Sequence, residues 1–290
     1  MPTPPNPTNG RKLTRDELLR TVKALPPLPA VALRVMQVAQ DPRSSASQLA
    51  LVVSADPALS ARMLRVANSA AYRRSREVTS VQEALVVLGF VQARNIAIST
   101  AITGAFAPDT LQALFRIDAF WRHSLAVAFR AGELAGQSRR LDVASAFTAG
   151  ILHNLGRLAM FHADPAGLDQ AIADAIRTGR TIEDVERDEL GYDHAELGGM
   201  LATRWNLPAE ICNAIRRHHE EISGSQPTLA SVVVEADHFC TSHGVLPGYI
   251  IPDEPGTVGK YDTVIARVLK QVETLMSLIC EDPVGVHMVA

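Results

Sequence analysis

The residues from Ala149 to Phe161 read AGILHNLGRLAMF, and this stretch decides how the rest of the chain is interpreted. Its spacing predicts an apolar helix that belongs to a longer one over 142–161. Three polar residues, His153, Asn154 and Arg157, interrupt the apolar run. Polar groups in an apolar helix cost free energy unless they are hydrogen-bonded or bind a ligand. These three residues are therefore candidate site residues.

Charge and composition narrow the function classes. The 28 Lys and Arg residues are offset by 31 Asp and Glu residues, so the chain lacks the positive field that attracts nucleic acids or anionic membranes. Its three cysteines are widely spaced without a CxxC pair, which indicates a reducing compartment. No signal segment is visible, and the longest apolar run, Ala84 to Val91, is too short to cross a membrane. We therefore expect a cytoplasmic protein with no membrane contact.

Helix signals recur along the whole chain. Capping patterns stand at Ser45-x-x-Gln48 and Ser80-x-x-Glu83, and Asp56-Pro57 supplies a cap followed by a first-turn proline. Apolar residues recur at intervals of three and four, whereas the alternation typical of strands is never sustained. The sequence therefore predicts an all-α protein built from many short helices.

Breaks in these patterns predict four regions. We expect a disordered lead over 1–12, an N-terminal helical subdomain over 13–107, a second helical subdomain over 108–243, and a flexible Gly- and Pro-rich loop with a C-terminal helix over 244–290. The last helix carries an apolar stripe, which usually packs on its own domain and less often forms a homodimer seam.

Five segments of the N-terminal half carry a resemblance that is more specific than periodicity. They are LPPLP at 25–29, DPALS at 56–60, LRVANSAAY at 64–72, SVQEALVVLG at 80–89, and Arg94-Asn95. In this order they resemble the HDOD domain family of bacterial signalling proteins. The resemblance implies a multi-helical HD-like bundle preceded by an N-terminal helical subdomain. It also implies a stand-alone regulatory module that acts through protein–protein interaction without catalysis.

The segment from His153 to Arg157 resembles the His-Asp-x-Gly-Lys/Arg signature of the HD superfamily of metal-dependent phosphohydrolases, with Asn154 in place of the aspartate. A pair of divalent ions needs anionic ligands. Asn154 offers only a neutral carbonyl oxygen or an amide group, so we expect no hydrolytic turnover. Arg157 stands where the signature often has a lysine, and it either anchors an anion or pairs with a carboxylate.

Five histidines and an aspartate follow the order in which the HD-GYP phosphodiesterases, a two-metal branch of that superfamily, supply their metal ligands. The resemblance implies a retained or vestigial metal site formed by His123, His153, Asn154, His194, His218, His219 and Asp237. We expect no bound cofactor, because former ligands can be hydrogen-bonded to one another. The alternative is a divalent ion, iron, manganese or zinc, held by the imidazoles. A GYP-type loop is missing after Glu220, which also argues against turnover.

The densest basic cluster lies in the N-terminal half and comprises Arg62, Arg65, Arg73, Arg74 and Arg76. These side chains are candidates for contact with a phosphate or an acidic partner. The two short helices predicted before them resemble a helix-turn-helix. A solvated helix face is the more common reason for such a cluster, so nucleic-acid binding is disfavoured.

The sequence thus yields one leading hypothesis and two rivals. The leading hypothesis is a non-catalytic signalling module whose partners are other signalling proteins, with a nucleotide as a candidate ligand. The first rival is a metal-dependent phosphohydrolase acting on a nucleotide or cyclic dinucleotide. The second rival is a nucleic-acid-binding regulator that uses the arginine cluster.

Overall fold

The computed structural model describes residues 20, 28–41, 43–69, 72, 77–103, 114–138, 140–220, 226–249 and 263–279. Every regular element in these ranges is an α-helix, which confirms the predicted all-α fold. The chain divides into two compact units. Leu28–Ala107 and the segment from Ala266 onward form the N-terminal unit, and Pro108–Ile265 forms the central unit. The predicted disordered lead over 1–12 lies outside the described ranges.

The N-terminal unit contains helices α1 to α5, at Ala30–Gln40, Ala46–Ser54, Pro57–Ala67, Val81–Leu88 and Phe90–Thr103. Local hydrogen bonds explain where these helices begin. Ser45 and Gln48 form a reciprocal capping box, and the Asp56 carboxylate accepts from the Leu59 N–H at 2.8 Å. Each such cap stabilises a helix by about 1 kcal/mol. Gly89 ends α4 with φ of +77°, a conformation that favours glycine.

Helix α5 is buried on all sides from Ala93 to Thr103. It follows α4 across a bend of 118°, and these two helices are long and apolar enough to cross a membrane only when taken together. Within the described part of the chain, no single helix passes that test.

Asn68 ends α3 and bonds Val78 twice at 2.8 Å, through its amide nitrogen and its carbonyl oxygen. This side chain closes the helix end and fixes the segment before α4.

The central unit contains helices α6 to α13, at Ile117–Ser138, Val143–Leu152, Leu155–Ala163, Pro165–Thr178, Ile182–Glu189, His194–Arg204, Ala209–Arg216 and Leu229–Ser242. Glycines let two pairs of these helices approach closely. A Cβ added at Gly150 of α7 would lie 2.6 Å from the Cα of Ala128 in α6. A Cβ added at Gly198 of α11 would lie 3.0 Å from the backbone nitrogen of Gly156 in α8. These contacts bring four site-bearing helices together.

The predicted continuous helix over 142–161 is wrong at its centre. Helix α7 ends at Leu152 and α8 begins at Leu155, so His153 and Asn154 form the junction between them. The His153 ring donates its Nδ1–H to the backbone carbonyl of Gly150 at 2.6 Å. The backbone carbonyl of Asn154 accepts from the backbone N–H of Arg157 at 2.9 Å. The break turns both side chains into the interior of the unit.

Helix α14, at Thr263–Ile279, carries the last apolar stripe. Five of its residues are buried, namely Ile265, Val268, Val272, Leu275 and Met276.

Candidate functional site

Six of the predicted site residues form two triads inside the central unit. The aspartate triad consists of His123 on α6, His153 at the α7–α8 junction and Asp237 on α13. The histidine triad consists of His194 at the start of α11 and of His218 and His219, which follow α12. Within each triad the possible ligand atoms lie within 4.8 Å of one another. The chain order of these residues therefore corresponds to a real cluster in space.

The aspartate triad is a tight arrangement of ring nitrogens around one carboxylate. The Nε2 atom of His123 lies 3.2 Å from Nε2 of His153 and 3.1 Å from Oδ1 of Asp237. The Asp237 oxygen is 3.9 Å from the His153 nitrogen. Both histidines are fully buried, and Asp237 is 7% exposed. A cation shared by these atoms, a proton or a metal ion, would balance the carboxylate charge.

The histidine triad is contacted by a buried carboxyl group, that of Glu186, which bonds His194. The Nε2 atoms of His194 and His219 lie 2.8 Å apart, and the His218 and His219 ring centroids are 3.9 Å apart. Glu186 accepts from the backbone N–H of His194 at 2.9 Å and from its Nδ1–H at 2.5 Å. The two triads adjoin, since the His153 and His218 ring centroids are 5.0 Å apart.

Four of these histidines have their Nδ1 atoms occupied, which fixes the direction of the opposite nitrogen. His123, His153 and His218 donate Nδ1–H to the carbonyls of Val245, Gly150 and Ile215 at 2.6 to 2.7 Å. His194 makes the corresponding bond to Glu186. A carbonyl can only accept, so a neutral ring bound to one must present a lone pair at Nε2. This anchoring is the usual arrangement of metal-binding histidines.

Burial keeps most of these rings neutral. It lowers the pKa of His218 and of His219 to about 3, and it holds the pKa values of His153 and His194 well below their usual range. The fully buried Nε2 atom of His218 has no hydrogen-bond partner. Burial alone would raise the pKa of Asp237, but the His123 hydrogen bond and the neighbouring rings hold it well below its usual value. The cluster thus presents several electron pairs and few protons.

Asn154 lies beside the aspartate triad, where the HD signature has its aspartate. Its Nδ2 atom donates to His153 Nε2 at 2.7 Å, while its Oδ1 atom is buried without a partner. Rotation of the amide by 180° would exchange these two atoms and turn an oxygen toward the triad. Asn154 can therefore serve as a neutral ligand, but it adds no negative charge.

Glu186 is a site residue that the sequence interpretation missed. Its carboxylate is fully buried between His194 and Arg157, whose Nε atom lies 3.8 Å from Oε1. Burial raises the pKa of Glu186 to about 8 despite the nearby guanidinium. The sequence signal for Glu186 is its spacing from Ile182 and Val185, which places all three residues on the buried face of α10. A carboxylate on the apolar face of a short helix requires a partner.

A loop after α13 closes one side of the site. Its Val245 carbonyl accepts from His123, and its Pro247 carbonyl accepts from Arg157 Nη1 at 3.0 Å. Gly248 has φ of +90°, and a Cβ there would lie 2.7 Å from the Phe115 ring. Of the two roles expected for Arg157, pairing with a carboxylate agrees with its position near Glu186. The same arginine also holds the loop.

Two members of the predicted arginine cluster lie within the described residues. Arg62 and Arg65 are half-buried on α3, which belongs to the N-terminal unit. Arg73, Arg74 and Arg76 lie outside the described residues.

The fold and the two triads define a helical domain of the histidine–aspartate class. The sequence matches the HDOD domain family over residues 25–221, and the chain belongs to that family. Several solved structures are similar to it. An HDOD domain protein of unknown function from Geobacter sulfurreducens has a TM-score of 0.70 at 24% identity, with 92% of this chain and 99% of that chain covered. A proposed phosphohydrolase from Shewanella amazonensis SB2B has a TM-score of 0.67 at 28% identity, with 91% and 98% covered.

Curated relatives share only part of their length with this chain. An uncharacterized protein of Treponema pallidum (strain Nichols) is 28% identical over 198 residues, which are 67% of this chain and 37% of that protein. Ribonuclease Y of Aquifex aeolicus (strain VF5) is 33% identical over 110 residues, 38% of this chain and 15% of that protein. The chain therefore spans well under half of the length of these relatives.

Proposed function

We propose that this chain is a non-catalytic signalling module that holds divalent metal in its two triads and acts on protein partners. The observation that carries the metal is the inward direction of the Nε2 lone pairs of His153 and His218, fixed by the bonds that their Nδ1–H groups donate to backbone carbonyls. Buried acceptors that converge without enough donors favour a cation. Membership of the HDOD family supports the signalling role.

The donor set fits imidazole-binding metals. His123, His153 and Asp237 would hold one ion, and His194, His218 and His219 would hold another, with iron, manganese or zinc preferred on nitrogen ligands. A bound ion would supply a concentrated positive charge next to Arg157. The residues of the chain themselves orient the ring nitrogens and exclude water from them.

The same donor set disfavours hydrolysis. Among the seven predicted ligands, Asp237 is the one carboxylate, and the amide of Asn154 is neutral. Two divalent ions bring four positive charges, and metal-assisted hydrolysis uses anionic ligands to hold the ions and their bound water together. We therefore assign the ions a structural and ligand-binding role.

A phosphohydrolase acting on a nucleotide or cyclic dinucleotide is the second candidate. It is favoured by a cavity beside the triads and by the likeness to the proposed phosphohydrolase from Shewanella amazonensis. DNA binding through the arginine cluster has weaker support, because the chain carries no excess of positive charge.

Elemental analysis of the tag-free protein tests the proposal. The protein is stripped with a chelator and reloaded separately with Fe²⁺, Mn²⁺ and Zn²⁺. We expect near-stoichiometric uptake of at least one metal, loss of uptake in His218→Gln, and unchanged uptake in the control His162→Ala, which removes an exposed histidine of α8. Circular dichroism checks that the variants are folded.

Turnover is measured on the same samples with nucleoside phosphates and cyclic dinucleotides. We expect no hydrolysis by the wild type, and Asn154→Asp is measured beside it as the variant that restores the aspartate of the HD signature. A wild type that binds no metal contradicts the proposal. A metal-loaded wild type that hydrolyses a substrate establishes the second candidate instead.

A further inference from the structure

Helix α4 of the N-terminal unit carries apolar residues on two opposite faces. Its core face is formed by four buried residues at the i, i+3, i+4 and i+7 positions, namely Val81, Ala84, Leu85 and Leu88. Val86 lies on the opposite side of the helix, and its side chain is 82% exposed. A helix with apolar residues on opposite faces is typical of one that is covered on both sides. The outer face of α4 is therefore suited to a partner.

The apolar surface continues across the bend between α4 and α5. Val87 and Phe90 are half-buried on either side of Gly89, and Val91 is 52% exposed in the first turn of α5. We call Val86, Val87, Phe90 and Val91 the bend patch. Among the residues that the structure describes, one further large apolar side chain is exposed, that of Leu51 on α2, a helix that contacts α4.

Local helix formation does not explain the two exposed valines. At an exposed helix position, alanine, lysine or glutamate favours the helix more than valine does. An exposed valine also gains no free energy from burial. Single apolar residues are common on protein surfaces, whereas a contiguous apolar group marks an interaction surface. The bend patch is therefore a candidate docking surface.

The charge of the N-terminal unit indicates the sign of the partner. Leu28–Ala107 contains eight arginines and no lysine against four acidic residues, a net charge of +4, whereas Pro108–Ile265 contains 13 basic and 22 acidic residues. The acidic residue of α4, Glu83, accepts from the Thr79 N–H at 3.1 Å, so its carboxylate is held at the start of the helix and not at the bend. Such a surface attracts an anionic partner.

A second copy of the chain does not supply this combination. Two bend patches facing each other would bring together two segments that each carry a net charge of +4. The central unit of a second copy is acidic, but its described residues expose no large apolar side chain that could cover Val86. An amphipathic helix with an apolar stripe and flanking carboxylates supplies both, and it is a common way for a peptide to bind an apolar surface.

We propose that the bend patch docks an acidic amphipathic helix of a partner signalling protein. The apolar stripe of that helix lies on Val86 and Val91, and its Asp and Glu side chains face the arginines of the N-terminal unit. The inference rests on the signalling role proposed above, for which it identifies the surface and the kind of partner. It does not depend on metal in the triads.

Selection from a displayed library of helical peptides of about four turns tests the inference on the full chain. We expect the enriched peptides to carry a net negative charge and an apolar stripe, with affinities then measured by fluorescence anisotropy. Val86→Asp places a like charge in the patch and should weaken binding at least about tenfold, and the neutral Val91→Gln should weaken it about fivefold. Gln137→Asp adds the same charge at an exposed position of α6 and, as the matched control, should leave the affinity unchanged. Circular dichroism checks that all three variants are folded.

The inference is overturned if no peptide is enriched, if the enriched peptides are basic or neutral, or if Val86→Asp binds them as well as the wild type does. Sedimentation velocity and co-sedimentation with phosphatidylglycerol vesicles test two other occupants. A dimer, or vesicle binding, that Val86→Asp abolishes assigns the patch to a second copy or to a membrane surface and also overturns the inference.

Metal uptake measured on the same samples separates the two proposals. Uptake of metal without peptide binding overturns the docking surface and leaves the metal proposal intact. Peptide binding that depends on Val86, in a protein that takes up no metal, supports the docking surface and contradicts the metal proposal.

Discussion

The crossing of α8 and α11 offers the sharpest test of the fold around the site. Gly156 faces the start of α11, and an alanine Cβ at this position would overlap the carbonyl oxygen of His194. It would also lie 2.7 Å from the His194 carbonyl carbon and 2.8 Å from the Gly198 nitrogen. These are backbone atoms, which cannot rotate away, so Gly156→Ala must separate the two helices.

The expected cost follows from two opposing effects. Overpacking of this kind costs about 1–3 kcal/mol, and an obstacle made of backbone belongs at the upper end. Replacing a helical glycine with alanine returns about 0.5–1 kcal/mol through the lower entropy of the unfolded chain. We therefore expect Gly156→Ala to lower the free energy of unfolding by about 2 kcal/mol.

Gly132 of α6 provides the matched control, because it is also a buried helical glycine. An added Cβ there would meet its nearest neighbour, Val143, at 3.7 Å, an ordinary contact. Gly132→Ala should stabilise the protein by about 0.5–1 kcal/mol. Urea unfolding followed by circular dichroism measures both variants, and metal uptake should fall in Gly156→Ala because His194 is displaced. If both variants are stabilised, the described close approach of α8 to α11 is refuted.

Three further predictions concern single side chains. Glu186→Gln replaces the carboxyl group that holds Nδ1 of His194 and should weaken metal binding about 10- to 100-fold, measured by competition with a chelator; an unchanged affinity would mean that Glu186 does not orient His194. The metal-free protein should lose stability as the pH falls from 6.5, by about 1.4 kcal/mol per pH unit for each of His218 and His219. Their pKa is about 3 when folded, so the unfolded chain binds more protons in this window, and a flat unfolding profile between pH 7 and 5 would argue against buried neutral rings. Asn68→Ala should cost about 2 kcal/mol in urea unfolding because it leaves the Val78 backbone unpaired, whereas the exposed Asn213→Ala should cost little; equal effects would contradict the role assigned to Asn68.

Local features of the fold could be predicted from the sequence because their causes are local. The caps at Ser45, Asp56 and Ser80 each use a side chain and a backbone N–H three residues away, so the pattern is visible in the sequence. The break at His153-Asn154 was missed because an apolar run shows which residues are buried but not where a helix turns. Its cause, a ring that points inward for a site, depends on residues far along the chain.

The candidate site likewise has some features that the sequence predicted and others that it did not. The order of the histidines predicted which side chains would come together, and whether they hold metal stays a prediction for elemental analysis. Glu186 escaped notice because it lies on a short helix rich in charged residues, where a carboxylate usually faces water. The hydrogen bonds that His123 and Arg157 donate to the carbonyls of Val245 and Pro247 join residues 122 and 90 positions apart, and no local sequence pattern predicts them.

The anchored imidazoles also bear on how much of this protein is folded at any moment. In the metal-free fold, the His218 lone pair is buried with no donor, and the free energy of unfolding is lower by the cost of that unpaired group. An ion that binds the folded chain and not the unfolded chain removes this penalty and shifts the folding equilibrium by mass action. The supply of free metal would then set the abundance of the folded module, and a cell short of that metal would have less of it available for its partners.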